Sequence, residues 1–155
     1  MKKFIDHTVF MGMNSSDDKV RIACKNFFIE SLENKEKLHM SLESVGMCDD
    51  IVWGYEREVQ DSYYPFMDKL HTVMDVERIA YGEEDILGIN SNSNLSITDI
   101  LTINQSLKGI LYTLNKKILS SDKENIMSPE MSNEELVFPD GLEEDYQTSL
   151  VLRYK

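Results

Sequence analysis

Short apolar runs alternate along this chain with stretches whose apolar positions recur at helical spacing, and that alternation narrows the fold more than any single residue does. The runs at 3–10, 37–40, 77–81 and 110–113 read as strands, with a weaker fifth at 125–128. A helix capped by Asp17 or Asp18 follows the first run, its apolar positions being Val20, Ala23, Cys24, Phe27, Phe28 and Leu32. Ser41 caps a second helix to about residue 55, and a third covers 57–74, where Pro65 predicts a kink or a fresh start. A short helix at 83–87 precedes the polar loop 90–94, and Ser96 caps a further helix that Gly109 ends. Strands that alternate with helices need crossover connections, which build parallel sheets covered on both faces. The expected fold is therefore α/β, a three-layer α/β/α sandwich around a central parallel sheet of four to five strands. Residues 1–130 carry this pattern as one domain. Residues 131–155 read as an acidic C-terminal extension, with 148–154 expected to add an edge strand or stay mobile.

Composition removes several function classes. A chain of 155 residues, 41% hydrophobic and 28% charged, has the make-up of a single globular domain. No apolar stretch approaches the roughly 18 residues of a membrane span, and Lys2 and Lys3 lack the apolar block and cleavage site of a signal peptide. A cytoplasmic protein without membrane contact is expected. Cys24 and Cys48 are read as reduced core thiols. The net charge of −12 argues against a general nucleic-acid binder, which needs basic patches. Residues 120–155 hold nine acids against three basic residues, half of that net charge, so the rest of the chain is only mildly acidic.

The candidate chemistry lies in acids placed where water should not reach. In Phe4-Ile5-Asp6-His7-Thr8-Val9-Phe10, Asp6 sits inside a run that should be buried. Such a carboxylate goes neutral unless a cation, a metal or a donor network holds its charge. Asp6, Ser41 and Thr113 each fall at a strand's carboxyl end, where open parallel sheets bind ligands. At 100° per residue, Asp49 falls among Leu42, Val45, Val52 and Trp53, an inward-facing acid unless that helix is rotated. Asp99 completes Ser96-Ile97-Thr98-Asp99, which serves equally as a capping box and as a carboxylate delivered to the cleft. Thr8, Thr113 and Asn115 can position a carboxylate or a water, and Asn115 can also offer a carbonyl oxygen to a metal. The three histidines have no zinc-like spacing, and neither a phosphate loop nor a nucleophile elbow is present.

The opening Phe4-Ile5-Asp6-His7-Thr8-Val9-Phe10 resembles the first strand of PIN-like domains, in which a metal-binding Asp is followed two residues later by Ser or Thr. Leu95-Ser96-Ile97-Thr98-Asp99-Ile100-Leu101 and then Gly109-Ile110-Leu111-Tyr112-Thr113-Leu114-Asn115 resemble the later half of that family, and residues 76–87 its third strand and the helix start after it. The resemblance covers residues 3–130 and points to a small bacterial branch of the PIN-like superfamily. Val52-Trp53 and the aromatic segment Tyr63-Tyr64-Pro65-Phe66 set that branch apart. It implies a ribonuclease using Mg²⁺ or Mn²⁺, often the toxin of a toxin–antitoxin pair, with RNA as substrate, an antitoxin as partner and a homodimer as assembly. Asp6 and Asp99 carry over to the family's metal-binding positions. The second acid's usual position is Met47, which leaves Glu43, Asp49 and Asp50 as candidates, Asp49 being the nearest inward one. The fourth position is Asn115 where the family has Asp. The metal set implied is Asp6, Asp49 and Asp99, with Thr8, Thr113 and Asn115 positioning carboxylates or water and Lys108, Lys116 and Lys117 offsetting phosphate charge. The rival reading is a non-catalytic PIN-like adaptor, with residues 63–66 as its contact surface.

Overall fold

A computed structural model describes residues 1–89 and 94–155; of the polar loop expected at 90–94, residues 90–93 lie outside the described part. Five strands, β1 (Lys3–Ile5), β2 (Leu38–Ser41), β3 (Glu77–Ile79), β4 (Ile110–Tyr112) and β5 (Ile126–Met127), form one all-parallel sheet in the order β3-β2-β1-β4-β5. The chain thus builds outward from β1 on one side, then crosses back to build on the other. The reversal falls between β1 and β4.

Helices cover both faces. Strand alternation sends Ile5, Leu38 and Met40 into the larger core, formed with α1 (His7–Gly12), α2 (Asp18–Glu33), α3 (Leu42–Trp53) and α4 (Arg57–Met74). Phe4 and Leu111 face the other way and pack with Ile103 and Ile118 of α6 (Ile97–Gln105) and α7 (Lys116–Leu119). The short α5 (Glu83–Leu87) follows β3 and lies against α6: Asn104 Nδ2 donates to Asp85 O at 2.9 Å. The architecture is the expected three-layer sandwich.

The first strand is much shorter than the 3–10 run suggests. Asp6 caps a helix instead, accepting from Thr8 N at 3.0 Å and Val9 N at 3.4 Å, and this turns the chain out of the sheet after Ile5. Helix α4 runs through Pro65 without a break. Pro65 is exposed, so the carbonyl of Asp61 that loses its amide partner faces water. Helix α6 ends at Gln105 with Ser106 as its cap, short of Gly109. Gly109 instead permits a close approach of two strands. A Cβ there would stand 2.4 Å from Lys2 O, so only glycine lets β4 enter beside β1.

Residues 131–155 do not form a separate appendage. They contain α8 (Leu142–Ser149) and no strand, and Phe138, Leu142, Tyr146 and Leu152 belong to the larger core. Arg21 and Lys25 of α2 are almost wholly buried and reach Glu135 at 3.0 and 2.7 Å, and Lys25 also reaches Glu143 at 3.0 Å. The acids of this segment thus neutralise cations that α2 could not otherwise bury. A single parallel bridge, Ser15 with Tyr154, fastens the end of the chain. Cys24 and Cys48 are free and buried.

Candidate functional site

The site is assembled at the carboxyl edge of the sheet, where β1 and β4 flank the reversal in strand order. Asp6 follows β1, is 3% exposed, and spends its carboxylate on local donors. Oδ1 accepts from the Thr8 amide and hydroxyl, and Oδ2 accepts from the Thr113 hydroxyl. Each hydroxyl is itself oriented from behind: Leu114 N donates to Thr8 Oγ1 at 2.8 Å and Asn115 N to Thr113 Oγ1 at 3.0 Å. Both hydroxyl protons are therefore directed at Asp6, although the two oxygens lie only 3.3 Å apart. Burial pushes the Asp6 carboxyl above its ordinary value, and the two hydroxyls pull partly against that rise.

Asn115 continues the network. Its Nδ2 donates to Asp99 Oδ1 at 3.1 Å, while its Oδ1 accepts from Lys117 N and Ile118 N as the cap of α7. The carbonyl is thus spent on α7 and is not offered to a metal; the residue positions Asp99. Asp99 stands in the first turn of α6, with its own amide donated to Ser96 Oγ at 3.1 Å. Asp6 and Asp99, far apart in sequence, are linked through Thr113 and Asn115 by hydrogen bonds from uncharged donors.

Asp49 does not join them. The buried positions of α3 are Ser44, Cys48 and Val52, while Leu42 and Trp53 are 52% and 68% exposed. The helix is rotated from the orientation that the apolar residues suggest, which puts Asp49 on its flank. There it accepts from Tyr64 Oη at 3.2 Å. Of the three candidate second acids, Glu43 is the one turned towards α6: Thr98 Oγ1 donates to it at 3.4 Å and Tyr81 Oη at 2.9 Å. Tyr81 also approaches Ser41 and Thr102, each at 3.4 Å, and sequence reasoning passed over it. Its signal was its place at the carboxyl end of the third strand. Lys116 and Lys117 are exposed on α7 beside Asn115, whereas Lys108 precedes β4 and stands at the opposite edge of the sheet.

Among the described residues, no three histidines, cysteines or acids stand close enough to hold a metal ion, so the trio Asp6, Asp49 and Asp99 is not assembled. A pair remains. It is Asp6 and Asp99, joined only through Thr113 and Asn115, with both Asp6 oxygens already accepting from hydroxyls. The aromatic segment of α4 is no contact surface: Tyr63 and Phe66 are fully buried and Tyr64 is engaged with Asp49.

The fold and the strand-end acids define an open parallel α/β protein with a polar network at its switch point. The chain belongs to a family of unknown function (DUF6190), whose model matches residues 1–155. No functionally curated protein matches the sequence. The structure is similar to the crystal structure of PAE2754 from Pyrobaculum aerophilum, with a TM-score of 0.55 and 14% identity over 81% of this chain and 83% of that one. At that identity the likeness concerns the fold alone. Among the described residues no helix is long and apolar enough to cross a membrane.

Proposed function

We propose that this chain is a PIN-like metal-dependent ribonuclease that hydrolyses RNA phosphodiester bonds. The observation supporting this reading is the Asp6–Thr113–Asn115–Asp99 network at the topological switch point, where both acids are held by uncharged donors. Acids that serve packing alone are usually balanced by Lys or Arg, as Glu135 is here. Acids held by hydroxyls and amides keep a negative field that favours a cation. Asp6 and Asp99 would hold Mg²⁺ or Mn²⁺, which supplies an acidified water and charge stabilisation at the phosphoryl oxygens. Thr8 and Thr113 fix the Asp6 carboxylate, Asn115 fixes Asp99, and Lys116 and Lys117 offset phosphate charge. The cellular setting of this reading is a cytoplasmic toxin, a homodimer restrained by an antitoxin. The test is cleavage of labelled single-stranded RNA by purified protein with Mn²⁺, with EDTA, and with Asp99→Asn. Cleavage should require the metal and be lost in the variant; equal cleavage in EDTA sinks the reading.

One observation favours a second reading, a non-catalytic PIN-like adaptor. Asp6 is buried with donors on both oxygens, so the fold satisfies it without a ligand. The two readings separate on metal binding. If Mn²⁺ raises the melting temperature of the wild type but not of Asp99→Asn, the nuclease reading stands. No shift with any divalent metal supports the adaptor.

A further inference from the structure

A cleft of about 440 Å³ opens between α2 and the extended chain that follows β5; its lining residues Tyr112 and Met127 adjoin Thr113 but belong to no part of the Asp6 network. Its floor is aromatic: the Phe27 and Tyr112 rings meet at 4.6 Å between centroids, tilted by 46°, and are only half-buried. Exposed Met127 and Met131 form one wall, 45% and 62% accessible, and methionine is the side chain best able to mould itself to a varied guest. One end is closed where Asn26 pins the returning chain, donating to Glu134 O at 2.7 Å and accepting from Leu136 N at 2.9 Å.

The charge on this cleft is one-sided. Glu30 on α2 and Glu130 on the opposite wall are exposed and have no ion-pair partner among the described residues. Lys3 is the one basic side chain among the described lining residues, and its ammonium is already paired with Glu36 and placed 5.7 Å over the Tyr112 ring. An apolar floor between two unneutralised carboxylates asks for an apolar residue flanked by cations. A second copy of this chain is a poor occupant, because it brings a like charge of −12. We infer that this cleft docks an extended segment of a protein partner in which an apolar side chain seated on Phe27 and Tyr112 is flanked by Lys or Arg. The inference is independent of the nuclease reading, since none of these residues belongs to the Asp6–Asp99 network.

The experiment is a titration of the ¹⁵N-labelled protein with a labelled twelve-residue peptide of Lys-Leu-Lys repeats, followed by amide shifts and fluorescence anisotropy. Saturable binding is expected, with shifts confined to the amides of Phe27, Glu30, Tyr112 and Met131. Glu30→Lys with Glu130→Lys should weaken binding by about tenfold or more at unchanged melting temperature, while Glu83→Lys with Glu84→Lys on α5 should leave it nearly unchanged. Four outcomes overturn the inference. They are no saturation, equal weakening by both charge reversals, the same shifts produced by spermidine alone, and self-association that the Glu30→Lys, Glu130→Lys pair abolishes.

Discussion

Asp6 shows how one side chain can be costly and well ordered at once. Its carboxyl is raised by burial, so the folded state holds its proton to higher pH than the unfolded chain does. The stability tied to that proton is present below the ordinary carboxyl value and is lost as pH climbs through the raised one. Asp6→Asn keeps Oδ1 for the helix amides but sets its Nδ2 donor against the Thr113 hydroxyl, whose proton is directed at Oδ2 in the wild type. It should lose about 1 to 2 kcal/mol at pH 7 in urea denaturation, while abolishing any metal-dependent cleavage. His71 is the opposite case. Its ring lies 4.8 Å from that of Phe10 with both nitrogens unpartnered, and burial pulls it down to about 4. Folding therefore excludes its proton, so that stability is full above about 6.5 and falls as pH drops towards 4. In His71→Phe that acid limb of the stability–pH curve should flatten by about 2 kcal/mol between pH 6.5 and 4. That Asp6 needed a partner was legible, because a carboxylate in an apolar run cannot stay unserved. Thr8 and Thr113 were legible as residues able to position it, but that their hydroxyls take both of its oxygens was not, because that geometry is set by the pairing of β1 with β4. Asp49 was misplaced because Leu42 and Trp53, apolar but exposed, pulled the helical face towards it.

At the level of elements, local chemistry marked beginnings better than ends. Asp17, Ser41 and Ser96 cap their helices as their residue types predict. Helices α7 and α8 escaped notice for different reasons. The first is a single turn held by Asn115, too short to show a period. The second begins Leu142-Glu143-Glu144-Asp145, acids that favour a helix N-terminus but look like a charge run inside an acidic segment. Gly109 tests how much rests on one close approach. An added methyl meets Lys2 O and, at 2.9 Å, the Phe4 ring, so Gly109→Ala has to prise β4 from β1. A loss of about 2 to 3 kcal/mol is expected in urea unfolding, with any RNA cleavage of the proposed reading falling as Thr113 withdraws from Asp6.

On the scale of the molecule, the acidic end of the chain closes the core. Phe138, Leu142, Tyr146 and Leu152 are buried there, each contributing roughly 1.5 to 3 kcal/mol by removal from water. Four such side chains rival the roughly 5 to 15 kcal/mol that stabilises a whole domain. Truncation after residue 130 should therefore abolish cooperative unfolding, as read by near-ultraviolet circular dichroism against urea; a sharp transition retained by residues 1–130 would refute this. The sequence showed the acids of this segment but not their purpose, because nothing near Arg21 or Lys25 in the chain says that Glu135 and Glu143 will answer them. That pairing sets a timetable for synthesis. A ribosome finishes α2 early, yet Lys25 waits more than a hundred residues for its counterions while Arg21 has only the exposed Asp18 at 3.6 Å, so that side of the core closes only once translation has passed Leu152.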